Sequence, residues 1–277
     1  MFCYRHPDRE AYVRCQRCER LICPDCQVEA SVGFLCVDDA GAQARPTRIR
    51  RSVFNADAPV LTQALVAINV VLFAAQILTG GMVTDYLYYT PIATLIEPWR
   101  MITAGFVHSD NLFTEPTSVL HIALNMYTLY VFGQVLEPML GRVRFLVLYL
   151  LSILGGSVAV LWFAEPSSGV LGASGGVFGL MGAYLVVVRT LGGNSNSIMG
   201  VIAFNLIFTF LNPGVSWQGH IGGLAIGCLV TLVYSRTRNF TQQKTQVIAL
   251  AGITVALIAV SIYKGYEILS PYGFTFF

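Results

Sequence analysis

The sequence predicts an all-α membrane protein, a bundle of seven transmembrane helices preceded by a small metal-binding module, and three observations carry that prediction. Hydrophobic residues make up 55% of the chain and charged residues only 12%, about half the charge of an ordinary soluble domain, so water cannot solvate most of it. The charge is also segregated: 16 of the 32 charged residues lie in residues 1–51, and none occurs between Thr190 and Ser235. Finally, six of the seven cysteines fall between Cys3 and Cys36, four of them as the close pairs Cys15/Cys18 and Cys23/Cys26, while Cys228 stands alone in an apolar run. Paired cysteines of this kind point to metal before disulfides. The formal net charge of +2 is too small, and too dispersed among short loops, for nucleic-acid binding.

The elements follow in order. Residues 1–44 form the Cys-rich module. The chain opens Met1-Phe2-Cys3 and then turns polar, without the apolar core of a signal peptide, which predicts a reducing, cytoplasmic setting in which thiolates persist as ligands. Residues 45–59 read as a linker whose Arg45, Arg48, Arg50 and Arg51 make it basic. Seven apolar segments then follow, at 60–79, 117–136, 145–163, 172–188, 197–211, 218–235 and 246–263. A helix crossing ~30 Å of hydrocarbon needs roughly 20 residues. The fifth segment is short and is expected to lie against other helices rather than face lipid along its length. The first six segments make a core over 60–235, and residues 236–277 add the seventh helix and a tail.

The distribution of arginine and lysine sets the orientation. Arg142 and Arg144 follow the second span, Arg189 the fourth, and Arg236, Arg238 and Lys244 the sixth, all on the side of the basic linker; only Arg100 and Lys264 fall opposite. The expectation is a multi-pass protein of the plasma membrane with a cytoplasmic N-terminus. Its long first outer loop, 80–116, carries Asp85, Glu97, Asp110 and Glu115, and His108 is expected to be exposed there.

In this topology the second, fourth and sixth spans all start at the outer face, each near a polar residue. Ser174 opens the fourth in the run Gly172-Ala173-Ser174-Gly175-Gly176, and His220 opens the sixth in Gly219-His220-Ile221-Gly222-Gly223. His121 and Asn125, four apart and so on one helical face, open the second. Serine needs a base to become a nucleophile, and His220 is the histidine placed to serve. An oxyanion needs donors, which His121, the Asn125 amide and the Ser174 backbone N–H can supply. No acid stands near His220 in its span, which predicts a Ser-His pair without a third carboxylate. Taken singly, a Gly-x-Ser-Gly run is more often a packing seam and a lone histidine a structural hydrogen-bonder; four such groups at one depth argue for chemistry. Asn205 and Gln218 could line the cavity beside that site, although polar packing is the reading favoured for each.

Residues 60–235 resemble the rhomboid intramembrane serine protease family on these motifs: Gly172-Ala173-Ser174-Gly175, the His121-x-x-x-Asn125 pair, His220 with Gly223 and Gly227, and Trp99-Arg100 in the first loop. Gly219 stands where the family usually has alanine, and Phe178 where many members have a tyrosine packed on the histidine. The resemblance implies a six-helix core plus a seventh helix, a Ser174–His220 dyad below the outer surface, and single-span membrane proteins as substrates, entering past the fifth span. The rival readings are a catalytically inactive rhomboid-like binder of membrane proteins and, more distantly, a proton-relay transporter, which should carry charged residues within its spans.

The N-terminal pairs are Cys3-x-x-His6, Cys15-x-x-Cys18, Cys23-x-x-Cys26 and Cys36-x-x-Asp39. Eight tetrahedral ligands imply two structural zinc ions. The order resembles a B-box zinc finger, whose pairs alternate, and this implies Cys3, His6, Cys23 and Cys26 at one site and Cys15, Cys18, Cys36 and Asp39 at the other, with Asp38 a competitor for the last place. A cytoplasmic partner for this module and mere folding of a capping domain are equally open.

Overall fold

A computed structural model describes residues 2–29, 34–43, 59–110, 117–212 and 214–273. The chain divides into two compact units, Met1–Ala56 and Asp57–Phe277. The basic linker lies largely outside the described residues, as does Glu115.

The first unit has two hairpins and one short helix. Strand β1 (Val13–Arg14) pairs antiparallel with β2 (Leu21–Ile22), β3 (Gln27–Glu29) pairs with β4 (Phe34–Cys36), and helix α1 (Val37–Gln43) follows. Its buried interior consists of Ala11, Ile22, Leu35 and the five cysteines Cys3, Cys15, Cys23, Cys26 and Cys36. Three small or medium apolar side chains cannot offset the entropy of ordering some forty residues, so this interior needs cross-linking to hold its shape.

The second unit is helical. Helix α2 (Val60–Leu78) leads into a structured loop with the short helices α3 (Met82–Leu87) and α4 (Arg100–Thr103). Six long helices follow: α5 (Thr117–Leu140), α6 (Arg142–Phe163), α7 (Ser174–Thr190), α8 (Asn196–Leu211), α9 (Trp217–Arg236) and α10 (Gln243–Leu269). These six and α2 correspond to the seven predicted segments. Five are long and apolar enough to cross a membrane; α7 and α8 are shorter apolar helices.

Burial explains why α7 can be short. Every residue from Gly176 to Ala183 is buried, so α7 is enclosed by other helices and does not itself need to match the hydrocarbon thickness. By contrast α2 and α10 are mostly exposed within the unit, with 22% and 11% of their apolar windows buried, as lipid-facing helices should be.

Two predicted ends move. Helix α5 continues past residue 136 to Leu140 and so takes in Glu137, a carboxylate only 2% exposed. The predicted segment stops one residue short of this carboxylate, and the physical reason it can lie within the helix is local. Glu137 accepts the Leu61 and Thr62 backbone N–H groups at 2.9 and 2.7 Å and the Thr62 hydroxyl at 2.7 Å, satisfying orphan donors at the start of α2. Helix α10 runs beyond residue 263 to Leu269, with Lys264 and Glu267 paired at 2.7 Å one turn apart on its surface.

Helices α7 and α9 pack backbone to backbone. A Cβ on Gly223 would overlap the Gly175 carbonyl oxygen and one on Gly227 the Gly179 carbonyl oxygen. A Cβ on Gly182 would sit 2.7 Å from the Leu224 carbonyl oxygen. This seam sets the first turns of α7 and α9 at the same level.

Candidate active site

Ser174 is the first residue of α7 and His220 lies in the first turn of α9, the two helices that the glycine seam joins. Phe178, one turn after Ser174, stacks on the His220 ring with centroids 4.2 Å apart and planes 17° from parallel. His220 is 7% exposed, and its Nδ1 lies 2.7 Å from Thr209 Oγ1 on α8. No hydrogen bond joins Ser174 Oγ to the His220 ring among the described residues, a state common in serine enzymes before substrate tightens the contact.

His121 approaches from α5. Gly172 has φ +120°, a conformation that disfavours a side chain, and a Cβ there would lie 3.2 Å from the His121 ring and 3.8 Å from Ser174 Oγ. The glycine therefore keeps open a point close to both groups. Asn125 sits one turn below His121 with its Nδ2 donating to the His121 carbonyl at 3.0 Å. An amide nitrogen carries two hydrogens, so one remains for another acceptor. A cleft lined by Ser174, Gly172, Ser157, Ser216 and Gly219 opens beside the serine, with about 50 Å³ available to the centres of water-sized molecules. That is several times the roughly 10–15 Å³ a single water requires.

His108 departs from expectation. It is fully buried, not exposed, because Gln76 at the end of α2 binds its backbone twice: the Gln76 amide donates to the His108 carbonyl at 2.6 Å and accepts its N–H at 3.1 Å. The His108 ring packs edge-on to His121 at 5.4 Å, and its Nε2 accepts the Ala173 N–H at 3.4 Å, one residue before the serine. Burial, and secondarily His121, push its imidazole down to about 3, so it remains a neutral acceptor. A histidine straight after the apolar run Gly105-Phe106-Val107 was the available signal for its burial. Thr209 was also missed, being one hydroxyl in an apolar helix eleven residues before His220. Asn205 and Gln218 bond to the Val201 and Phe163 carbonyls, as polar packing residues do.

The first loop is pinned to the segment before α7. Tyr89 and Val170 exchange backbone hydrogen bonds at 3.0 and 2.8 Å, and the Gly172 N–H donates to Ala104 at 2.9 Å. Arg100 donates to the Asp85 and Tyr88 carbonyls at 2.6 and 3.0 Å and its Nε lies 2.7 Å from Glu97. The Trp99-Arg100 motif thus braces the loop that presents Gly172.

In the N-terminal unit two groups of donors converge: Cys3, His6, Cys23 and Cys26, and Cys15, Cys18, Cys36 and Asp39, each with its ligand atoms within 4.8 Å of one another. In the first, Cys23 and Cys26 Sγ lie 3.4 Å from His6 Nδ1 and Cys3 Sγ 3.9 Å. In the second, Cys15 and Cys36 Sγ lie 3.2 and 3.1 Å from Asp39 Oδ2, and Cys18 Sγ 3.8 Å from Cys36 Sγ. A tetrahedral zinc with bonds of ~2.3 Å to sulfur has ligand–ligand edges of about 3.8 Å, somewhat less to nitrogen or oxygen, so both donor sets fit one such ion. Asp38 turns away, accepting the Tyr4 hydroxyl at 2.8 Å. Hydrogen bonds from Cys18, Cys36 and Cys15 hold the Asp39 carboxyl down to about 2. The two clusters can bind metal.

This fold and site define a polytopic helical membrane protein with a polar centre at one end of three adjacent helices. The chain belongs to the rhomboid family: the Rhomboid domain model matches residues 96–237. It is 32% identical over 200 residues to the rhomboid protease GluP of Bacillus subtilis, covering 67% of this chain and 37% of that protein. It is 34% identical over 143 residues to the putative rhomboid protease YdcA of the same organism, covering 50% and 67%. It is 36% identical over 141 residues to RHOMBOID-like protein 6, mitochondrial, of Arabidopsis thaliana, covering 48% and 43%. The chain therefore spans little more than a third of GluP. The relatives support an intramembrane protease and a multi-pass membrane protein.

Proposed function

We propose that this protein is an intramembrane serine endopeptidase acting through Ser174 and His220 on single-span membrane proteins, near the outer face of the bilayer. The reading is supported by three contacts: Ser174 lines a cleft with room for water, Phe178 one turn further along α7 stacks on His220, and the point a Gly172 Cβ would occupy lies near both the His121 ring and Ser174 Oγ. His220 takes the Ser174 proton as Oγ attacks the scissile carbonyl, and later returns it to the departing amine. His121, the free Asn125 N–H and the Ser174 backbone N–H stabilise the oxyanion. The open N-terminus of α7 adds its partial positive charge there. Water from the cleft, deprotonated by His220, then hydrolyses the acyl-enzyme.

The domain division proposed is a zinc module over 1–44, a linker, a protease core over 60–235 and a seventh helix beyond. Two zinc ions, when bound, would cross-link the N-terminal strands through Cys3, His6, Cys23, Cys26 and Cys15, Cys18, Cys36, Asp39. With four protein ligands apiece they are structural, and they leave the module's surface to recruit a cytoplasmic partner, consistent with an N-terminus inside the plasma membrane.

The test is cleavage of a single-span membrane protein co-reconstituted in liposomes. Wild type is expected to cut it within or next to the span, and Ser174→Ala and His220→Ala to leave it intact. Intact substrate with wild type across a panel of spans would favour the inactive binder.

A further inference from the structure

Building on His220 as the general base, we propose that Thr209 on α8 is the positioning residue that fixes the tautomer and orientation of His220, in the place a third carboxylate would take. The Thr209 Oγ1 lies 2.7 Å from His220 Nδ1 and also 2.8 Å from the Asn205 backbone carbonyl. Thr209 is 2% and His220 7% exposed. A hydroxyl has one proton, and a carbonyl oxygen can only accept. The proton therefore points to Asn205, and the lone pair that faces His220 accepts from Nδ1–H. Nδ1 carries the imidazole hydrogen and Nε2 is left bare, which is the tautomer a base must have to take a proton from serine.

Phe178 fixes the ring plane by stacking on its face, at 4.2 Å, while Thr209 fixes rotation within that plane by holding one edge. Among the described residues no Asp or Glu bonds to His220. A neutral hydroxyl is suited to this depth, because an ionised carboxylate buried in an apolar bundle is costly to desolvate. Thr209 also ties the base to α8. The buried residues of α8 are Ile198, Ile202 and Thr209, so Thr209 is the buried contact of its last two turns. Seating of that end of α8 and readiness of the base are thus one event.

Two measurements test this. With a reconstituted single-span substrate, Thr209→Val, which keeps shape and loses the hydroxyl, is expected to lower kcat about tenfold or more with KM nearly unchanged. Thr209→Ser is expected to restore most of the loss. The second measurement does not depend on how the variants fold: nitrogen chemical shifts of 15N-histidine-labelled wild type in detergent, with His220 assigned by its substitution. Nδ1 protonated and Nε2 bare supports the proposal; the reverse tautomer overturns it. Wild-type kcat in Thr209→Val, with Ser174→Ala inactive, overturns the Thr209 role alone, whereas cleavage that survives in Ser174→Ala overturns the dyad on which it rests.

Discussion

His121 and Asn125 carry unequal expectations on the proposed mechanism. Losing one oxyanion donor costs about 10²–10³ in kcat in serine proteases. His121→Ala is expected to fall in that range, and Asn125→Ala below it, because one Asn125 N–H already serves the His121 carbonyl; equal losses in steady-state assays would contradict this ranking. His108 gives a pH prediction. Its folded imidazole is held near 3, while an unfolded histidine titrates near ~6.5. Between these values the unfolded chain takes up a proton that the folded loop refuses, so stability present above about pH 6.5 is lost as pH falls toward 3. His108→Gln is expected to flatten that part of the Tm–pH profile in detergent, and an unchanged slope would remove His108 from the account. At this scale the sequence singled out these polar residues because each was expected within the first turns of an apolar span, at one depth. It hid His108 and Thr209, because their partners lie far along the chain: Ala173 is 65 residues from one and His220 eleven from the other.

Helix pairing rests on two local devices. The α7–α9 seam brings backbone against backbone at Gly175–Gly223 and Gly179–Gly227, and overpacking a filled interior costs typically 1–3 kcal/mol. Gly227→Val is therefore expected to lower Tm clearly, whereas Gly200→Val, where an added Cβ meets nothing within 4 Å, leaves it nearly unchanged. Glu137 is the other device. Glu137→Ala strands the Leu61 and Thr62 N–H groups, and leaving buried donors unsatisfied costs about 1–3 kcal/mol each; protection of α2 in hydrogen exchange should fall before that of α6. The seven apolar runs predicted the seven long helices because a bilayer-sized apolar length has few alternatives. Their ends were blurred where charges sat on a helix that continues, at Glu137 and at Lys264–Glu267.

For the whole molecule, two units of opposite composition share one chain, and each answers to a different solvent. Among the described residues of the first unit only Ala11, Ile22 and Leu35 are buried apolar side chains beside the cysteines, so the unit's order is expected to depend on metal. Elemental analysis of the intact chain should find two zinc ions, Cys36→Ser should remove one, and Asp38→Ala neither; one ion in the unaltered chain would refute the two-site reading. The metal pairs were legible from x-x spacing and the likeness to an alternating finger, and the choice of Asp39 over Asp38 only from coordinates, since adjacent carboxylates look alike in sequence. The central claim is that Ser174 is a nucleophile activated by His220. It is tested most directly by treating detergent-purified protein with a fluorophosphonate and locating the adduct by peptide mass spectrometry. The account predicts one adduct, on Ser174, absent from Ser174→Ala and strongly slowed in His220→Ala; equal labelling of the wild type and Ser174→Ala would contradict it.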